Sequence, residues 1–174
     1  MSHHVLVAYA TKYGATAEIA ERIAQVLRTA GLTVVVAAAD ATADLRPYTA
    51  VVLGSAVYAG AWRKEAVAFL EAQAEGLAQR PLWRFSSGPT GQGDPVALLK
   101  GWRFPDAQRP LLERIRPRDI ALFHGRLDPA RLNLAERLLI KGIKAPTGDF
   151  RDWPAIEAWA QGIADALGTT TGPA

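Results

Sequence analysis

Short apolar runs alternate with segments of helical spacing along the 174-residue chain. His4–Ala10 (HVLVAYA) is the first run, rich in β-formers, and it gives way to the polar, Gly-containing stretch Thr11–Thr16. Ile19, Ile23, Val26, Leu27 and Ala30 then recur on one helix face, and Gly31 stands where a helix ends. Leu32–Ala38 predicts a second strand. Ala50–Ser55 predicts a third, apolar throughout and therefore buried on both faces. Arg63–Leu77 returns to helical spacing through Val67, Leu70, Ala74 and Leu77. Pro81–Ser87 and Asp119–Phe123 predict strands four and five. A last helix opens at Asp152, with Pro154 in its first turn, and buries Ile156, Ala160, Ile163 and Leu167. Strands alternating with helices predict an α/β, three-layer fold. Its five-stranded parallel sheet has the order 2-1-3-4-5 and helices on both faces.

The length fits one domain over 1–174, with no repeat and no linker. Two segments exceed what five strands and their crossovers need: Gly88–Pro117, rich in Gly and Pro, and Arg126–Phe150, which carries a helical pattern of its own. Thr169–Ala174 is small and polar, and is expected to be a frayed tail.

Composition narrows the chemistry. With no cysteine, disulfides, thiolate metal sites and cysteine nucleophiles are excluded. His3 and His4 lie beside the N-terminus and His124 stands apart, so no metal site is expected. No leader is expected, because the first apolar run contains Tyr9 and leads directly into a polar loop. No apolar stretch is long enough to span a bilayer, and a cytoplasmic protein is expected. A net charge of +3 and a pI near 9.4 are too mildly basic to imply a nucleic-acid partner.

In a sheet of this order, ligands bind beyond the carboxyl ends of the strands, where the order reverses. The loop after strand one lies there and reads Thr11-Lys12-Tyr13-Gly14-Ala15-Thr16. Two hydroxyls, a glycine and a following helix N-terminus suit a phosphate monoester, since orphan N–H groups and the macrodipole favour an anion. Thr16 alone would also read as an N-cap. The loop lacks the G-x-x-x-x-G-K-[ST] of a P-loop NTPase and the G-x-G-x-x-G of a dinucleotide fold. It has no cysteine for a low-molecular-weight phosphatase, and strand three ends in Gly54-Ser55 rather than a phosphoacceptor aspartate.

Thr11-x-x-Gly14-x-Thr16 after a strand resembles the phosphate loop of flavodoxins, with Tyr13 in place of the usual middle threonine. The resemblance implies a flavodoxin-like fold, non-covalent FMN as cofactor, and ring-holding loops after strands three and four. The first of these is Ala56-Val57-Tyr58-Ala59-Gly60, where Tyr58 and the nearby Trp62 stack on or shield the ring, or else cap the core. The second is Ser86-Ser87-Gly88-Pro89-Thr90-Gly91, which offers backbone N–H groups to the ring edge or is a plain turn.

Gly54–Gly60, with Gly148-Asp149 and Asp152-Trp153, is similar to the flavodoxin-like menaquinone-dependent protoporphyrinogen IX dehydrogenases. That implies an FMN-dependent oxidoreductase passing electrons from a tetrapyrrole, or another reduced small molecule, to a quinone. Where those enzymes carry a basic run after strand four, this chain has Ser86-Ser87-Gly88-Pro89. The alternative is an electron carrier between protein partners with no substrate chemistry of its own. Its basic pI departs from the acidic habit of such carriers.

No catalytic residue is assigned, because the cofactor would carry the redox chemistry. His124 reads as a structural histidine or a proton relay, and Arg84 inside strand four has no account from sequence. The extra helix, about Asp128–Ala145, has Leu132, Ala135, Leu139 and Ile143 in one stripe, widened by Leu134 and Leu138. Arg137, Lys141 and Lys144 lie opposite. It reads either as a helix packed on the domain or as a lid near the flavin, and the resemblance favours the lid. Such a lid would meet a quinone, or the anionic membrane surface where quinones dissolve, and would make the protein peripheral to that membrane.

Overall fold

The computed structural model describes residues 2–168. Its elements in chain order begin with β1 (His4–Ala10), α1 (Ala15–Thr29), β2 (Thr33–Ala38), β3 (Ala50–Tyr58) and β4 (Ala61–Trp62). They continue with α2 (Lys64–Ala72), α3 (Ala74–Ala78), β5 (Leu82–Ser87), α4 (Pro95–Leu98), α5 (Arg109–Ile115) and β6 (Asp119–Phe123). The last are β7 (Arg126–Leu127), α6 (Leu134–Ile143), β8 (Gly148–Asp149) and α7 (Trp153–Ala166). The expected C-terminal tail, 169–174, lies outside the described residues.

Five parallel strands run in the order β2-β1-β3-β5-β6, which is the expected 2-1-3-4-5. The main sheet nevertheless has six strands, not five. The two-residue β4 folds back antiparallel on β3 through Val57↔Trp62 and Tyr58↔Ala61. This pairing also carries β3 past its predicted end at Ser55 to Tyr58.

The central strands are apolar throughout because both faces are covered. Val5 and Val7 of β1 join Ile19, Ile23 and Leu27 of α1 and Ile156 and Ile163 of α7 in one layer. Leu6 and Ala8 face the other way, toward Phe69 and Leu70 of α2, Leu77 of α3 and Ile115 of α5. Asp152 caps α7 as the sequence predicts, accepting from Ala155 N at 3.1 Å. The predicted helix Arg63–Leu77 is instead two helices. At Gln73 the backbone departs from helical values (φ −102°, ψ 12°), and its side chain donates to the Ala43 carbonyl at 3.0 Å.

The segment 126–150 is an excursion closed at its base by β7 and β8, paired Arg126↔Asp149 and Leu127↔Gly148. Its helix is shorter than the predicted Asp128–Ala145. A 3-10 turn over Pro129–Arg131 comes first, and α6 then restarts at Asn133. There a capping box joins the Asn133 side chain to Glu136 N, and Glu136 to Asn133 N. The packed-helix reading does not hold. Leu134, Leu138, Leu139 and Ile143 are 74, 62, 63 and 66% exposed, and only Leu132, ahead of the helix, is buried. Among the described residues no helix is long and apolar enough to cross a membrane.

Candidate flavin site

The first loop delivers an uncapped helix N-terminus. Gly14, at φ 89°, is the N-cap of α1, and no side chain caps the helix. That left-handed turn is open to glycine at little cost and strained for other residues. Thr11 Oγ accepts from Gly14 N at 3.0 Å and fixes the turn. The first intrahelical bond runs from Glu18 N to Gly14 O at 3.2 Å, so the N–H groups of Ala15, Thr16 and Ala17 open the helix without intrahelical acceptors. Thr16 is therefore not the N-cap. It sits inside the first turn, 1% exposed, with its hydroxyl 3.1 Å from that of Ser87. This buried pair joins the first loop to the loop after β5.

The second loop is a tight β-hairpin. Ala59 (φ 50°) and Gly60 (φ 76°) both take positive φ, the pattern of a type I′ turn between β3 and β4. Tyr58 is 40% exposed, its remainder packed in the loop, and stands edge-on to Tyr13, with ring centroids 6.4 Å apart. Burial, then the neighbouring Tyr13, raises the Tyr58 phenol above its ordinary pKa. Trp62 belongs to the core instead: it is 6% exposed and its Nε1 donates to Ser86 Oγ at 2.8 Å. Ser86 in turn donates to the Arg103 carbonyl at 3.0 Å. The Arg84 guanidinium lies over the Trp62 ring, 4.1 Å from its centroid, and Nη2 donates to Gln108 Oε1. Among the described residues Arg84 Nε and Nη1 have no hydrogen-bond partner, and burial pushes its pKa down to about 9.

The third loop is pinned from behind. Gly88 N donates to Phe123 O at 3.2 Å and Gly125 N to Pro89 O at 2.9 Å. A Cβ on Gly125 would come within 3.0 Å of Gly88 Cα, so the two backbones meet directly. The His124 ring nitrogens face the carbonyls of Pro89 (3.0 Å) and Gly93 (2.6 Å), which gives this histidine a structural task in holding the loop.

Together the loops wall a cavity of about 800 Å³. Of the residues predicted from sequence, Thr11, Tyr13, Ala15, Thr16, Ala56, Val57, Tyr58, Ala59, Gly60, Ser87, Gly88, Pro89 and Thr90 line it. Lys12, Gly14, Ser86 and Gly91 do not. Leu139 and Ile143, from the stripe that the lid reading named, also line it, as part of a roof; sequence reasoning missed the rest of that roof, Leu98, Leu99 and Trp102 of the Gly- and Pro-rich segment and Arg126, Arg131 and Ile140 of the excursion. The signal for these was the excess length of the two segments.

The roof is latched to the first loop. Glu136, in the first turn of α6, accepts from both Lys12 Nζ and Tyr13 Oη. Those two bonds, Lys12's first, hold its carboxyl down at about 2 and raise Lys12 in return. Arg131 Nη1 donates to the Tyr13 carbonyl at 2.7 Å.

The flavodoxin domain family profile matches residues 6–153. The chain belongs to the flavodoxin domain family. No curated protein sequence matches this flavodoxin domain. Among solved structures it is similar to a flavodoxin from the domain Archaea, at 13% identity and TM-score 0.63, covering 94% of this chain and 98% of that one. It is also similar to oxidised flavodoxin 1 from Bacillus cereus, at 16% identity and TM-score 0.61, covering 95 and 99%. Rubredoxin oxygen:oxidoreductase from Desulfovibrio gigas matches at 16% identity and TM-score 0.60, covering 97% of this chain but 37% of that larger one. At these identities the structures establish the fold.

FMN is the cofactor of this family, and the residues present fit it. The uncapped N–H groups of α1 and the Thr11–Thr16 loop offer donors for a terminal phosphate. Apolar walls and the Tyr58 ring suit a flat heteroaromatic body, within a volume usual for a cofactor site.

Proposed function

We propose that this single flavodoxin-like domain is an FMN-dependent oxidoreductase that passes electrons from a reduced small molecule to an apolar acceptor. Bound FMN would supply the redox chemistry. The chain's own residues would do the rest: the first loop would anchor the phosphate, the β3–β4 hairpin and Ser87–Thr90 would hold the ring, and α6 would limit water.

The observation that carries the reading is the roof. Leu139 and Ile143 line the cavity and are also solvent-exposed, while Leu134 and Leu138 extend the apolar surface outward. A contiguous exposed apolar patch beside a cavity marks an interaction site. A quinone dissolved in a membrane suits it. Arg137, Lys141 and Lys144 flank the patch and suit the anionic face of a bilayer, and on this reading the protein would work at the periphery of the inner membrane surface. A tetrapyrrole donor is the finer form of the proposal, resting on the resemblance to protoporphyrinogen dehydrogenases; the missing basic run after β5 weighs against it.

A plain electron carrier is the second reading. It is favoured by the near-complete mutual coverage with the archaeal and Bacillus cereus flavodoxins. One experiment separates the two. FMN-loaded protein, chemically reduced, is mixed with a quinone in anionic vesicles, as wild type and with Arg137, Lys141 and Lys144 all changed to Gln. The oxidoreductase reading expects vesicle binding and rapid quinone reduction, both reduced in the variant, with FMN retained through gel filtration in each. Wild type that ignores vesicles and reduces quinone no faster than the variant leaves the carrier reading.

A further inference from the structure

Four cations surround the first loop, and their partners differ. Lys12 is tied to Glu136 and does not line the cavity. Arg151 is almost wholly buried, held by Asp149 at 2.7 Å and Glu18 at 2.9 Å. Arg126 is paired with Glu18 at 3.0 Å. Arg131 is held least. Its Nε lies 3.7 Å from Asp128 Oδ2, beyond hydrogen-bond range, and Nη2 has no partner among the described residues.

Arg131 is also well placed. It lines the cavity with Thr11, Ala15 and Thr16, and Nη1 already donates to the carbonyl of Tyr13, the residue before the N-cap. That same Nη1 would lie 3.9 Å from a Cβ built on Gly14 itself. A phosphate monoester at neutral pH carries a charge of about −1.5 to −2. The first loop meets it with neutral donors only, because its one lysine is engaged elsewhere. A guanidinium fork matches phosphate geometry and forms charge-assisted bonds about twice as strong as neutral ones. A half-exposed pair as long as Arg131–Asp128 offers little competition.

We propose that Arg131 is a specificity residue for the terminal phosphate, supplying from the excursion the positive charge that the loop itself lacks. The inference rests on the FMN reading. It also gives the excursion a second task, since the segment that roofs the ring would recognise the phosphate at its other end.

The test compares wild type, Arg131→Gln and Arg131→Lys. Binding of FMN and of riboflavin is measured by flavin fluorescence at low and high salt. Arg131→Gln should weaken FMN by about tenfold and change riboflavin by less than about twofold. Arg131→Lys should recover part of the loss, having the charge without the fork. The salt sensitivity of FMN binding should be larger in wild type than in Arg131→Gln. Because Arg131 is half-exposed, losing its bond to the Tyr13 carbonyl should move the melting temperature without ligand only slightly, which separates a lost contact from a lost fold. FMN affinity unchanged in Arg131→Gln, or FMN and riboflavin weakened in equal proportion, overturns the inference while leaving FMN binding intact. Wild type that binds no FMN overturns the cofactor reading and this inference together.

Discussion

Gly54 is the position where one added methyl group meets the most resistance. It lies in β3 opposite Phe85 of β5. The Phe85 ring folds back over it, so that a Cβ on Gly54 would sit 2.0 Å from Cζ and 2.3 and 2.4 Å from the two Cε atoms. Carbon atoms pack at about 3.5–4.0 Å, so the ring would have to retreat by roughly 1.5 Å. It has nowhere to go: Phe85 is fully buried, with Phe123 and Trp159 at centroid distances of 5.8 and 6.0 Å. Overpacking of this kind costs about 1–3 kcal/mol, and Gly54→Ala should fall near the upper end. For a chain of this size that is a loss of roughly 6–12 °C in Tm. Thermal melting and urea titration measure it. The double variant Gly54→Ala, Phe85→Leu should be less destabilised than the sum of the two single variants, because the smaller side chain leaves room for the methyl. A Tm unchanged in Gly54→Ala, or strict additivity in the double variant, would refute the steric account.

Three further predictions concern the loops and the buried charge. Thr16→Ala leaves the Ser87 hydroxyl buried without its partner, so stability should fall by about 1–3 kcal/mol in urea titration, and FMN should weaken more than riboflavin. Glu136 has a folded-state pKa of about 2 against an ordinary 4.5, so its latch is complete above the ordinary value and is lost as pH falls toward the folded one. Protection of the α6 amides, taken against the intrinsic exchange rate at each pH, should therefore hold at mildly acidic pH and fall only through that window, and Glu136→Gln should lower it at neutral pH. Arg84 is buried with two nitrogens lacking hydrogen bonds and no carboxylate partner among the described residues, so Arg84→Met should be neutral or stabilising by chemical denaturation. Burial lowers the pKa of the Arg84 guanidinium below its ordinary value, in keeping with a buried charge that has no counter-charge to offset its desolvation.

What could be read from sequence followed what each signal is made of. β1 and β6 came out with their observed bounds, and α7 with its Asp152 cap, because strong local periodicity and a capping side chain determine them. β4 is two residues long and exists only because a type I′ turn returns the chain onto β3, so no periodicity announces it. Trp62 therefore read either as a flavin shield or as a cap on the core, and the hairpin decides for the core by turning it inward onto Ser86 and Arg84. The stripe of α6 was legible as apolar, but a stripe does not say what it faces. Its leucines face the cavity mouth and solvent, held there by Glu136 reaching across to Lys12 and Tyr13 more than a hundred residues away in sequence. Thr16 was legible as a polar residue near a helix start. That the glycine before it is the N-cap depends on the backbone at Gly14, which residue type alone leaves open.

Titrating FMN into the purified apoprotein while following flavin fluorescence, with FAD as comparator, tests whether the three loops and their roof form a site for FMN. Quenching should saturate at one FMN per chain, and FAD should bind more weakly, because its adenylate would have to leave a loop shaped for a terminal phosphate. Well-folded protein that leaves FMN fluorescence unchanged, or that takes FAD as readily as FMN, would contradict such a site.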